Sequence, residues 1–130
     1  MKDDQEYFRA LQELAVRDKR YDLEAYVFVQ RSLGYLLDNL GRRRHVGGRE
    51  LLEGIREFAL KEYGPLARDV FAHWGVRSCE DFGEIVFGMV DTGLLSKTEQ
   101  DSRDDFRGGY DFEDVFERPF RREPPSLGTS

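Results

Sequence analysis

The stretch Ser78-Cys79-Glu80-Asp81-Phe82-Gly83-Glu84-Ile85-Val86-Phe87-Gly88-Met89-Val90-Asp91-Thr92-Gly93-Leu94-Leu95-Ser96-Lys97 decides how the chain is read. Phe82, Ile85, Val86, Met89 and Val90 recur at three- and four-residue intervals, which places them on one side of an α-helix. Ser78 stands where an N-cap belongs, and Asp81 three residues on completes a capping-box-like start, with Asp in the place usually taken by Glu. The helix runs to about Thr92 and Gly93 closes it. Beyond, Leu94-Leu95-Ser96-Lys97-Thr98-Glu99 has little helical character and is expected to form a short strand. Gln100 to Asp105 is then the turn, and Phe106 to Phe112 returns as a loose hairpin.

Working outward, the same spacing marks four earlier helices. About Asp3 to Asp18, Tyr7 or Phe8, Leu11, Leu14 and Ala15 fall at helical intervals, with acidic residues in the first turn, where the helix dipole favours them. A second helix begins near Asp22 and carries Tyr26, Val29, Leu33, Leu36, Leu37 and Leu40 on one stripe, ending at Gly41. Tyr26-Val27-Phe28-Val29 taken alone suits a strand, but the spacing continues through Leu40 and length decides for helix. A third helix, about Arg49 to Tyr63, turns Leu51, Leu52, Ile55, Phe58 and Ala59 inward. Pro65 fits the first position of a short fourth helix with Leu66, Ala67, Val70, Phe71 and Trp74 on its buried side and Gly75 at its end. Between the second and third helices, Gly41-Arg42-Arg43-Arg44-His45-Val46-Gly47-Gly48 reads as a loop. Asp111 to Phe116 suits one more helical turn, and residues 118–130 are expected to be a disordered tail.

Helices three to five followed by a hairpin have the order of a winged helix. The segment from Trp74-Gly75-Val76 to Gly93-Leu94-Leu95-Ser96-Lys97 resembles the turn, second helix and first wing strand of that family, although Ala67 lies eight positions before Gly75 where four is usual. The resemblance implies a mainly α fold: an N-terminal helical pair (1–41) packed on a winged-helix-like three-helix unit with a short β-hairpin (49–117), together one domain over 1–117. The span from His45-Val46-Gly47-Gly48-Arg49-Glu50-Leu51-Leu52-Glu53-Gly54-Ile55-Arg56 to Tyr110-Asp111-Phe112 also resembles a family of small bacterial proteins without an assigned activity. That likeness implies a complete bacterial protein and carries over no catalytic residue.

Composition narrows the function. The chain has 130 residues, 39% hydrophobic and 13% aromatic, enough bulk for a core despite 35% charged side chains. Cys79 is the only cysteine, which excludes a disulfide framework. The start Met1-Lys2-Asp3-Asp4-Gln5-Glu6 is charged and no apolar run follows, so the expected compartment is the cytoplasm, away from membranes. The net charge of -6 is unevenly spread: residues 41–77 sum to +3 and residues 78–117 to -9.

That asymmetry argues against ordinary DNA reading, which needs Lys and Arg beside phosphates. Between Ser78 and Ser96 there is no basic residue, while Glu80, Asp81, Glu84 and Asp91 stay on the polar side. The expectation is therefore a non-enzymatic protein interaction module whose acidic fifth helix docks on a basic partner surface. Phe87, off the main stripe, is either an exposed anchor of that docking face or a core residue beneath the N-terminal helices.

A first alternative rests on Arg42, Arg43, Arg44, His45 and Arg49 around Gly47-Gly48, which could hold an RNA or DNA backbone at a helix N-terminus if this patch is kept apart from the acidic block. The glycine spacing is not that of a P-loop. A second alternative is an enzyme with a pocket near His73, Trp74 and Cys79, though Glu80 and Asp81 disfavour a thiolate. No cofactor or metal is expected: two histidines and one cysteine make no zinc pattern, and Asp101 to Phe106 lacks the ligand order and glycine of a calcium loop. Complementary +3 and -9 blocks also allow self-association.

Overall fold

The computed structural model describes residues 3–121, and its regular structure is helical. Five α-helices follow one another: α1 (Asp4–Arg17), α2 (Leu23–Leu40), α3 (Gly48–Tyr63), α4 (Ala67–His73) and α5 (Cys79–Asp91). Asp3 and Asp22 start the first two by accepting the N–H groups of Glu6 at 2.8 Å and Glu24 at 2.9 Å. Gly41 ends α2 in the left-handed region, with φ 72°. Pro65 lies in a 3-10 turn, Gly64–Leu66, rather than opening α4, and Leu66 is exposed instead of buried. Among the described residues no helix is long and apolar enough to cross a membrane.

The core is an aromatic cluster. Phe28 of α2 is at its centre, with ring centroids of Phe58, Tyr63, Phe71, Trp74 and Phe82 between 5.3 and 6.2 Å away. Phe71 of α4 extends it to Phe112 and Phe116 at 5.7 and 5.2 Å. These last two come from the C-terminal segment, where a π-helical turn, Glu113–Glu117, covers α4 and a 3-10 turn, Arg118–Phe120, follows it. The expected helical turn is therefore present. Residues 118–121 of the expected tail are instead placed, with Arg118 paired to Asp114 and Arg121 to Glu113, while the expectation for residues 122–130 lies outside the described residues.

The hairpin is absent: among the described residues there is no strand, and the winged-helix arrangement is not supported. The reason lies in where the backbone donors go. Leu94 N–H bonds to Met89 O at 2.8 Å and Gly93 N–H to Val90 O at 3.0 Å, the paired bonds of a Schellman cap, and Leu95 N–H also turns back to Met89 O. Leu94 and Leu95 thus finish α5 and have no donors left for a ladder. The Asp101 carboxylate takes the Thr98 N–H, and Ser102 caps a short 3-10 turn, Arg103–Phe106. Residues 95–106 form an irregular strap across α3 and α5.

Phe106 fastens that strap. It is 2% exposed and lies over two glycines, so close that a Cβ added to Gly48 or Gly83 would stand 2.9 Å from its atoms. The two helices can accept the ring only because neither carries a side chain there.

Ser78 occupies the N-cap position of α5, but its hydroxyl makes no capping bond. Asp81 does the work by a different route, accepting the Arg77 N–H at 2.8 Å and the Tyr21 hydroxyl at 2.6 Å. The second bond ties α5 to the α1–α2 connection. Burial and that carboxylate together push the Tyr21 hydroxyl pKa upward.

Candidate functional site

The second helix does not stay covered along its length. Tyr7 of α1 donates its hydroxyl to Gln30 of α2 at 2.6 Å. Three residues of α1 precede Tyr7 and ten of α2 follow Gln30, so α2 projects past its neighbour by about seven residues, or roughly 10 Å at 1.5 Å per residue. On one side of this overhang Leu36 rests on Gly54 of α3. On the side toward α5, Leu33 and Leu37 face a cleft of about 440 Å³. Val86, Phe87 and Val90 of α5, Leu51 of α3, and Val46, Leu95 and Phe106 complete its apolar floor. Arg43, Arg44, His45, Lys97, Asp101 and Asp105 form its rim. A concave apolar surface of this size with a few convergent polar groups has the character of a binding site.

Two clasps hold the rim. Arg44 binds Glu50 with both guanidinium nitrogens, at 3.1 and 2.6 Å, and donates to the His45 carbonyl at 2.8 Å. The Arg44 hydrogen bond, aided by the Gly47 N–H, draws the Glu50 carboxyl below its ordinary value. His45 Nε2 lies 2.8 Å from Asp101 Oδ2, joining the arginine loop to the strap. Burial opposes the charge on Asp101, but the N–H of Thr98, the His45 imidazole and the Thr98 hydroxyl outweigh it and lower its pKa.

This contact corrects the separation that the nucleic-acid reading required, because the arginine loop sits against the acidic segment. At the N-terminus of α3 the Glu50 carboxylate folds back toward one of the donors an anion would use, the Gly47 N–H, at 3.5 Å. Arg42 and Arg49 are exposed, and among the described residues Arg42, Arg43 and Arg49 form no ion pair.

The acidic side of α5 is also less free than its sequence suggests. Glu84 accepts Arg103 Nε at 2.8 Å and lies 3.6 Å from Arg20, while Asp81 is engaged as described. Glu80 accepts the Gly108 N–H at 3.3 Å. Asp91 remains exposed without an ion pair among the described residues. Phe87 is not an exposed anchor: it is 7% exposed, edge-on to Phe106, with the Arg103 guanidinium 4.9 Å above its ring. Its departure from the main stripe turns it toward the strap.

The residues of the enzyme alternative are not brought together around one pocket. Trp74, largely core, and exposed His73 both line a shallow depression at the ends of α1 and α4, but its walls do not include Cys79. Cys79 is 1% exposed and donates to the Tyr110 carbonyl at 3.4 Å; burial pushes its thiol up to about 11. Among the described residues no group of three or more His, Cys, Asp or Glu side chains is placed to hold a metal.

Sequence reasoning missed the cleft. Its one available signal was the stripe from Leu33 to Leu40, longer than the first helix can cover. Compared with family models, curated proteins and solved structures, the chain matches none.

Proposed function

We propose that this protein is a non-enzymatic interaction module whose working surface is the cleft between α2, α3, α5 and the strap, and that it takes up part of a partner protein there. The observation that carries this reading is the uncovered overhang of α2, where leucines that should close a core instead floor a cleft with basic side chains at its edge. The acidic face of α5 is the weaker docking surface, since Asp81 and Glu84 already have partners within the chain.

Adjacent positions on α5 separate the two surfaces. A photo-crosslinking amino acid at Val90 points into the cleft, and one at Asp91 sits on the outer face of the same helix. In the source cell, the Val90 position is expected to give a discrete adduct that the Asp91 position does not. Adducts from Asp91 alone would return the docking site to the acidic face.

A further inference from the structure

The shape and charge of the cleft specify its occupant more closely; this step rests on the cleft being the working surface. Leu33 and Leu37 stand one turn apart on α2, and Val86 and Val90 one turn apart on α5. Two ridges of this period form a groove suited to the i, i+3/i+4, i+7 side chains of an amphipathic helix.

The molecule already contains such a pairing. α1 lies against both helices, through Tyr7 on Gln30 of α2 and through Leu14, whose methyl carbons are 3.8 Å from the Cβ position of Gly88 on α5. It stops where α2 continues alone. A second helix laid further along α2 would meet the same kind of surface.

The rim selects the sign of its charge. Arg44 is held by Glu50; Asp101 is held by His45 and Thr98, and Asp105 by the Ser102 N–H at 3.1 Å. Asp101 and Asp105 keep their negative charge, but both are half-buried with oxygens turned onto donors of the strap. Arg43 and Lys97 are exposed and among the described residues have no ion pair, so the charges that reach toward an incoming helix are these two cations. We propose that the cleft binds an acidic amphipathic α-helix of a partner protein, with the apolar face of that helix on Leu33, Leu37, Val86 and Val90 and its carboxylates toward Arg43 and Lys97.

The test uses the full chain and two fluorescent helical peptides with the same apolar face, one with glutamates and one with lysines on the polar face, and decanoate as a small amphiphilic probe. At low salt the glutamate peptide is expected to bind at least about tenfold more tightly than the lysine peptide, with the preference shrinking as salt rises. The double variant Arg43→Glu/Lys97→Glu, altered only at exposed positions, is expected to reverse the preference; Val90→Glu, checked for folding by circular dichroism, should abolish binding of both peptides. Equal binding of the two peptides, or no reversal in the double variant, would overturn the acidic helix. Decanoate binding that Val90→Glu removes, without binding of either peptide, overturns the helical occupant and leaves the cleft as the working surface. If neither peptide nor decanoate binds, both readings fall.

Discussion

Phe106→Ala tests the strap that walls the cleft. The ring is 2% exposed, lies in the notches of Gly48 and Gly83, and meets Phe87 edge-on at 6.4 Å. Removing a buried phenylalanine costs about 3–5 kcal/mol through lost transfer energy and the cavity left behind. The strap has no ladder to hold it rigid, so it can settle partly into the space, and the lower end applies: about 3 kcal/mol. For a chain of this length that corresponds to a fall in melting temperature of roughly 10–15 °C. Urea unfolding followed by circular dichroism should show the midpoint drop with little change in slope, because the surface exposed on unfolding is nearly the same. Amide exchange should rise in residues 95–106 before it rises in α2 and α4. A loss below about 1 kcal/mol would refute the argument, since a ring gripped by two helices cannot be that cheap to remove. So would faster exchange spread evenly over the molecule, which would mean that the strap is not a separate unit.

Gly75→Ala should be among the most damaging small substitutions: its φ is 87°, and an added Cβ would stand 2.2 Å from the Arg20 carbonyl oxygen, so thermal melting should fall sharply, whereas Gly41→Ala, with open space around it, should be much milder. Tyr21→Phe should cost about 1–2 kcal/mol in chemical denaturation, because the charge-assisted bond to Asp81 goes while the Arg77 N–H still partners that carboxylate; an unchanged midpoint would show the bond to be worthless. Asp101 has a folded pKa below its ordinary 3.8, so the stability it adds is complete above that value and disappears as the pH falls from about 4 toward the lower folded value. Exchange in the strap should accelerate over that acid window, and Asp101→Asn should remove this dependence. Cys79, with its thiol raised to about 11, should react with a thiol reagent at pH 8 only as fast as the protein opens; prompt stoichiometric reaction of the native protein would contradict its burial.

The core was legible because helical burial follows a short-range period. Leu51, Leu52, Ile55, Phe58 and Ala59, all expected inside α3, are all buried, and Phe82, Ile85 and Met89 of α5 are fully enclosed. The strap was misread for an equally local reason. Leu94-Leu95 looks like the start of a strand to any pattern of side chains, but the fate of its N–H groups depends on Gly93 adopting φ 77° and turning them back on Met89. Phe87 posed the same difficulty: off the stripe on its own helix, it is buried by residues 103–106, which no period on α5 encodes.

By itself the amino-acid sequence determined the helices and most of their buried faces, because each depends on neighbours within one or two turns. It also determined the charge asymmetry between residues 41–77 and 78–117. Only the tertiary structure decided what those charges are for. Arg44, Glu84 and Asp101 are largely engaged within the molecule, while Arg43, Lys97 and the overhanging leucines of α2 are left facing outward around a cleft. The physical reason is that pairing and coverage are set by which distant segments meet, and that depends on the relative lengths of α1 and α2 and on two glycines that let one phenylalanine hold the strap in place.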